Sequence, residues 1–321
     1  MIRLNGLTSS FFFTSLVLMW IGSWTGCYAT PKVEQDPPEI EQDQGFTQRG
    51  RLPTHVAVAG FDWHTDYNAA YREANRNKQM LLIDFVKSDD DTDQRKFQKF
   101  IETNVHVQSQ LRLFVLARLP IDYEIDQGDT PLRLIDDVMF KHLLGQQGIA
   151  IIDLKHDGKP YLGDVVSSFP FASGKYYSWK NEYLCKILEL PPGTITQRTM
   201  VWAVRTHPER PASTTGHHDL QLARAAAQHS QYQANIGVQG HHRWETRSQQ
   251  ICEIVGATSA KEVVAESWPD QNLIDSCIDC VDSWRHSSGH WKVVRNHHRR
   301  FGYDIRQGRN HIWYGTGIFS N

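Results

Sequence analysis

Three short apolar runs, separated by stretches of helical periodicity, constrain the fold more than any other feature of this chain. Met80 to Val86 is apolar except for Asp84, and Leu111 to Leu119 and Gly148 to Asp153 are built similarly. Runs of this kind read as buried strands, because a strand with one solvated face alternates polar and apolar residues. Between them, Ala69 with Tyr71 to Ala74, and Phe97 to Ile101, carry helical spacing. Strands and helices in alternation predict an α/β sheet with helices on its faces. At 321 residues, 40% of them hydrophobic, the chain has enough apolar material for about two domains.

Polar and proline-marked stretches suggest the boundaries. Residues 30–55 hold Pro37, Pro38 and the acidic run Glu39 to Asp43, the composition of a solvated linker. A first domain is expected over 56–190. The stretch 191–216, with Pro191, Pro192, Pro208 and Pro211, reads as a second linker, and 217–321 as a second domain. Ahead of these, Arg3 is the only charge before an apolar run from Phe11 to Ile21, followed by small residues and Cys27. That is the layout of an export signal. Its apolar core is shorter than the roughly 20 residues of a membrane span, although the uncharged stretch from Leu4 to Pro31 keeps a retained anchor as an alternative. Cleavage after Ala29 makes 1–29 a signal peptide, whereas processing before Cys27 would leave a lipidated cysteine. Either way the protein is expected outside the cytoplasm as a secreted, periplasmic or lipid-anchored chain, touching membrane only through the signal or a lipid. A formal net charge of −2 gives no field to attract nucleic acid.

After the signal, Cys185, Cys252, Cys277 and Cys280 remain. An oxidising compartment permits a bridge from Cys252 to Cys277 or Cys280, and closing a loop of about 25–30 residues would contribute about 3 kcal/mol. The Cys277-x-x-Cys280 pair also invites a redox or zinc reading, but it has no second pair or His at finger spacing. Leu273, Cys277, Val281 and Trp284 recur every three or four residues, so these cysteines read instead as small apolar residues on a helix.

The order Trp63, helix, Lys78, then Leu81 to Phe85 resembles the thioredoxin-like family over most of residues 60–165. The resemblance implies that two redox cysteines should fall at Asp90 and Asp93, inside Ser88-Asp89-Asp90-Asp91-Thr92-Asp93. Carboxylates supply no thiolate, so this domain is expected to be redox-inactive and a thiol oxidoreductase activity is disfavoured. The acidic loop offers oxygen ligands for a hard cation such as Ca²⁺, but it lacks the glycine and terminal Glu of a full EF-hand loop and reads equally as a solvated turn.

In the second domain, Asp219 to Ile236 reads as a helix stopped by Gly237, Asn272 to Arg285 as another, and the two tail segments around Phe301 to Ile305 and Ile312 to Phe319 as strands joined near Gly308. Several polar elements follow in order. They are His229-Ser230, then His241 with Trp244 and Arg247 after it, Glu266 beside a small apolar run, and Trp284, Ser287, Gly289 and His290. This succession resembles the CAP superfamily, the cysteine-rich secretory, antigen 5 and pathogenesis-related (SCP-like) proteins. It implies a compact α-β-α sandwich with a cleft holding His241, His290 and Glu266, with His242 as the fallback for His241. A second acid would be expected at Ser287.

Two imidazoles and a carboxylate suit Zn²⁺ or another divalent cation with an open position for water. That leaves two functional readings from different classes. One is a non-catalytic cell-envelope protein whose His/Glu cleft binds an envelope ligand or partner protein, or simply holds the layers together. The other is a metal-dependent hydrolase of a peptide or envelope substrate.

Overall fold

The computed structural model describes residues 54–88, 90–127 and 130–321. The export signal, Cys27, Asp89 and nearly all of the 30–55 stretch lie outside the described residues, although His55 already opens the first strand. The architecture is mixed α/β. Its first half runs β1 (His55–Val58), β2 (Phe61–His64), α1 (Tyr67–Asn77), β3 (Met80–Val86), α2 (Thr92–Thr103), α3 (Val105–Leu111) and β4 (Phe114–Pro120). It continues through the hairpin β5 (Glu124–Gln127) and β6 (Thr130–Arg133) to β7 (Gly148–Ile152), β8 (Val165–Pro170), α4 (Tyr183–Leu188) and α5 (Ile195–Thr206).

Six of these strands form one sheet in the order β1-β2-β4-β3-β7-β8. β2, β4 and β3 are parallel, β7 runs antiparallel to β3, and β8 runs antiparallel to β7. Every residue of the central β3 is buried, as its unbroken apolar run requires. Asp84, its one acid, accepts hydrogen bonds from Gln94 Nε2 at 2.6 Å and Arg118 at 3.0 Å. The acidic stretch after β3 serves the helix it precedes: the Asp91 carboxylate caps α2 by accepting the amides of Asp93 and Gln94.

The second half runs β9 (His217–His218), α6 (Leu220–Ile236), α7 (Trp244–Val255), β10 (Ala260–Glu266), α8 (Leu273–Arg285), α9 (Ser288–Arg295), β11 (Arg300–Gln307) and β12 (Trp313–Ser320). Its sheet has the order β10-β12-β11-β9. Asp219 caps α6, and Gly237 ends it in the left-handed region at φ 68°. On β11, a Cβ at Gly302 would lie 2.1 Å from the Ala223 amide nitrogen, so the missing side chain lets α6 lie directly on the sheet. Ile318 joins Leu222, Ala226, Ile251 and Val255 in a core under α6 and α7, whereas its neighbour Phe319 joins Trp284, Trp291 and Val294 in the core under α8 and α9.

This two-sided arrangement corrects the disulfide expectation. Cys252 sits on α7, while Cys277 and Cys280 are wholly buried on α8 in the other core, and all four described cysteines are free. Burial raises both α8 thiols, which disfavours the thiolate form of the C-x-x-C pair.

The 191–216 stretch, expected as a linker, is also corrected. It contains α5, a 12-residue helix started by a capping box between Thr194 and Gln197, and nine of its residues are buried. Trp202 packs on Phe169 at 5.0 Å between ring centres, while Met200 reaches toward Gly315 of β12. One apolar core therefore includes Ile149, Phe169, Met200 and Trp202 together with Val263, Trp284 and Phe301. Ser213, past the helix, is fully buried and shares a 2.7 Å hydrogen bond with Tyr303. The two larger sheets of residues 54–321 are thus joined by a shared helix.

Candidate functional site

Strand alternation along β10 directs Val263 and Ala265 into the core shared with α8 and turns Glu262 toward α6 and α7. The Glu262 side chain has no solvent exposure. An unpaired carboxylate there would be costly, and the surrounding elements supply its partners. Arg247 of α7 reaches it in two-pronged fashion, NH1 to Oε2 at 2.6 Å and NH2 to Oε1 at 2.8 Å. His241, in the turn between α6 and α7, lies with Nδ1 3.0 Å from Oε1. His229 of α6 has Nε2 3.8 Å from the same oxygen. Burial pulls the Glu262 carboxyl up, but the bonds from His241 and Arg247 outweigh it and hold the group below the usual carboxylate range.

The same side chains shape the turn. His229 Nε2 donates to the Gly240 carbonyl at 2.9 Å, and Gln233 Oε1 accepts from the Gly240 amide at 3.0 Å. Arg247 Nε donates to the His242 carbonyl at 2.9 Å, with the guanidinium over the Trp244 ring. Burial keeps His229 below the ordinary histidine range, which favours its neutral form beside Gly240.

Because a carboxylate can only accept, the Nδ1 of His241 carries its proton and a neutral His241 has its lone pair on Nε2. That nitrogen lies 3.2 Å from Nε2 of His290, which comes from α9 on the far side of the edge strand β10. His241 is exposed and His290 half-buried, so the pair opens to solvent above a buried ionic base. Burial and then the neighbouring His241 push His290 below its ordinary value.

The structure brings together His241 and His290 but not Glu266. Glu266 stands at the end of β10, exposed, four residues along from Glu262. Sequence reading named His229 and Arg247 only as members of the ordered succession and gave neither a place in the cleft. A signal for the right acid was available: Glu262 precedes the apolar run Val263 to Ala265, whereas Glu266 follows it. The alternative His242 donates from Nε2 to the Val238 carbonyl at 3.2 Å and turns toward Tyr232. Ser287, where a second acid was expected, is the residue preceding the first turn of α9.

Beside this network, a cleft of about 350 Å³ opens between α6 and α7, lined by His229, Tyr232, His242, Arg247, Ile251 and Ile254. Among the described residues, no three His, Cys, Asp or Glu side chains are grouped so as to hold a metal ion. The His241–His290 pair therefore supplies two nitrogens and no third protein ligand. No protein-family model matches this chain, and no curated protein matches it. No helix among the described residues is long and apolar enough to cross a membrane.

Proposed function

We propose that this is an exported cell-envelope binding protein, whose second half is CAP-like and whose His241–His290 pair docks a divalent transition-metal ion together with its ligand. The observation that carries this reading is the 3.2 Å separation of the two Nε2 atoms, with His241 oriented by Glu262. Two imidazole nitrogens bound to one tetrahedral zinc ion sit roughly 3.3 Å apart. Glu262 supplies the carboxylate behind the imidazole that fixes such a ligand's tautomer and ring orientation. His290 has only to carry its proton on Nδ1 for both lone pairs to converge.

With two protein nitrogens, the site suits an open, exchangeable metal whose other positions are filled by water or by oxygen atoms of a bound partner. It does not suit a closed structural zinc centre. The order α6, His241, α7, Glu262, α8, His290 supports the CAP-like reading. The parallel β2-β4-β3 core continued by antiparallel β7 and β8 supports a thioredoxin-like reading of the first half, in which Asp91 caps α2 where redox chemistry would need a thiolate.

The test is calorimetric titration of zinc into the purified mature chain and into His290→Ala. One zinc per chain is expected, with at least tenfold weaker binding and an unchanged melting temperature for the variant. Absence of saturable zinc uptake by the wild type would overturn the reading. So would equal zinc affinity in the variant accompanied by a lowered melting temperature, which would assign the pair to structure alone.

A further inference from the structure

Trp268, in the segment between β10 and α8, is 63% exposed, more than any other aromatic residue among the described residues. Tyr176, in the loop between β8 and α4, is 39% exposed. Burial would stabilise rings of this size, so a pair of them held in solvent marks a surface that meets a ligand.

Both rings are held from behind by aspartates of α8. Asp275 is buried, and its carboxylate accepts the amides of Lys175, Tyr176 and Tyr177 at 2.9, 2.7 and 2.8 Å. One turn further along the helix, Asp279 Oδ2 accepts the Trp268 amide at 2.9 Å, and Ser267 Oγ donates to the Trp268 carbonyl at 2.7 Å. These bonds fix the backbone under each ring and leave the ring itself in water. A ligand arriving there meets groups that need little ordering.

A cation already lies over both rings. Nζ of Lys175 is 4.9 Å from the Tyr176 ring centre and 5.6 Å from that of Trp268. Among the described residues it has no carboxylate within ion-pair distance, so the two ring faces are its partners. The field around it is nonetheless acidic: the Asp279 charge acts on Lys175, and Asp282 follows on the same helix. Asp279 is 8% exposed, and burial pushes its carboxyl above the usual carboxylate range while the Lys175 charge opposes that rise. A positive charge over the rings therefore favours the ionised form of Asp279.

The spacing suits a larger cation than the lysine ammonium. A methyl carbon resting about 3.5–4.0 Å above a ring, on a C–N bond of about 1.5 Å, puts its nitrogen roughly 4–5.5 Å from that ring. The two distances from Nζ lie near the outer end of that span. We infer that Trp268 and Tyr176 form a recognition site for a quaternary ammonium group, the cationic head of choline-type molecules, and that Lys175 occupies it until such a ligand displaces it. Lys175 is exposed on a flexible stem and its ammonium is strongly hydrated, so it leaves for water at little cost. A trimethylated nitrogen has no N–H to hydrate and needs no acceptor, which two π faces backed by a carboxylate satisfy. The site shares no residue with the His241–His290 pair.

The test titrates choline chloride into the mature chain and into Trp268→Ala, Lys175→Ala and His290→Ala, following the choline methyl signal by proton NMR, with ethanolamine as the comparison that lacks the methyl groups. Trp268→Ala is expected to melt as wild type does, because the ring is exposed, and to bind choline about fivefold more weakly or worse. Lys175→Ala is expected to bind it roughly two- to fivefold more tightly, the competing ammonium being gone, a gain that misfolding cannot produce. His290→Ala is expected to bind it normally, which separates this site from the imidazole pair. Vesicles of phosphatidylcholine, with phosphatidylglycerol as the control, show where the head comes from. Cosedimentation with the former that Trp268→Ala abolishes assigns a lipid headgroup, and choline binding without cosedimentation assigns a soluble ligand. The inference is overturned if choline shows no saturable binding at millimolar concentration, if ethanolamine binds as tightly as choline, if Trp268→Ala keeps the wild-type affinity, or if Lys175→Ala binds no more tightly than wild type.

Discussion

The substitution Glu262→Gln removes one buried charge while nearly preserving volume. In the native chain this carboxylate accepts bonds at 2.6 and 2.8 Å from Arg247 and at 3.0 Å from His241. A glutamine offers one acceptor oxygen in place of two, and its NH₂ must face a guanidinium or an imidazole N–H. Removing one partner of a buried pair costs about 3–5 kcal/mol. The lower end applies, because the Arg247 side chain is 21% exposed and keeps its bond to the His242 carbonyl. For a folded unit of this size, about 3 kcal/mol corresponds to a melting temperature lower by roughly 6–12 °C. Glu266→Gln, on the same strand but exposed, is expected to change it by less than about 2 °C. Thermal unfolding followed by circular dichroism at neutral pH measures both. A Glu262→Gln melting temperature close to wild type, or an equal fall in Glu266→Gln, would refute the assignment of Glu262 as the buried anchor. Zinc affinity provides an independent reading, since loss of the carboxylate behind a metal-binding His costs about 10–100-fold.

Two further outcomes follow from the packing and titration of the fold. Gly302→Ala is expected to destabilise the protein by more than about 3 kcal/mol, because its Cβ would meet α6 backbone that cannot yield without lifting the helix. Gly289→Ala, in α9 with nothing within 4 Å of the new atom, is expected to raise the melting temperature slightly. Burial pushes both His142 and His218 down to about 4, so each contributes stability that is present above the ordinary value near 6.5 and is lost as pH falls toward 4. Asp304, raised by burial to about 6, acts in the opposite sense, its contribution being lost as pH rises through that value. Comparing melting temperatures at neutral and mildly acidic pH isolates the histidine effect: the acid-induced fall should be smaller in His142→Leu than in wild type, and an equal fall would contradict it.

How legible these features were depends on whether a local pattern encodes them. The run Met80 to Val86 became β3 without adjustment, and Asp219, Gly237 and Asn272 marked helix ends that the structure places within one residue. Helix α5 was missed because it is buried on nearly all sides, with Thr196, Gln197, Arg198 and Thr199 among its buried residues, so polar positions do not mark a solvent face. Its buried Arg198 looks like a surface residue in the sequence, yet it donates to the carbonyls of Leu190 and Pro191 and to Ser167, each at 2.9 Å. With that helix read as a linker, one continuous core was divided into two. The choice between Glu262 and Glu266 failed for a different reason. Both lie on the same face of β10 by alternation, and only the approach of Arg247 and His241 from another layer distinguishes them. The contact of His241 with His290 spans 49 residues and both sides of an edge strand, so no sequence period records it.

Two imidazoles of the fold share one chemical device and differ in what surrounds it. At each, a fully buried carboxylate engages Nδ1 of an imidazole: Glu262 with His241 at 3.0 Å, and Asp153 with His156 at 2.6 Å. The carboxylate fixes the tautomer, so Nε2 is the atom left to meet a ligand. The neighbour of that atom then decides whether a cation can be shared. Beside His241 Nε2 stands a second imidazole whose depressed basicity keeps it neutral, which presents lone pairs and favours a cation. By the same tautomer argument His156 Nε2 is also a lone pair, but Lys159 shares its cleft, so a cation there meets a like charge in place of a second imidazole nitrogen. His290→Ala removes the second nitrogen and leaves the contact of His241 with Glu262 in place, so zinc affinity should fall while the melting temperature holds.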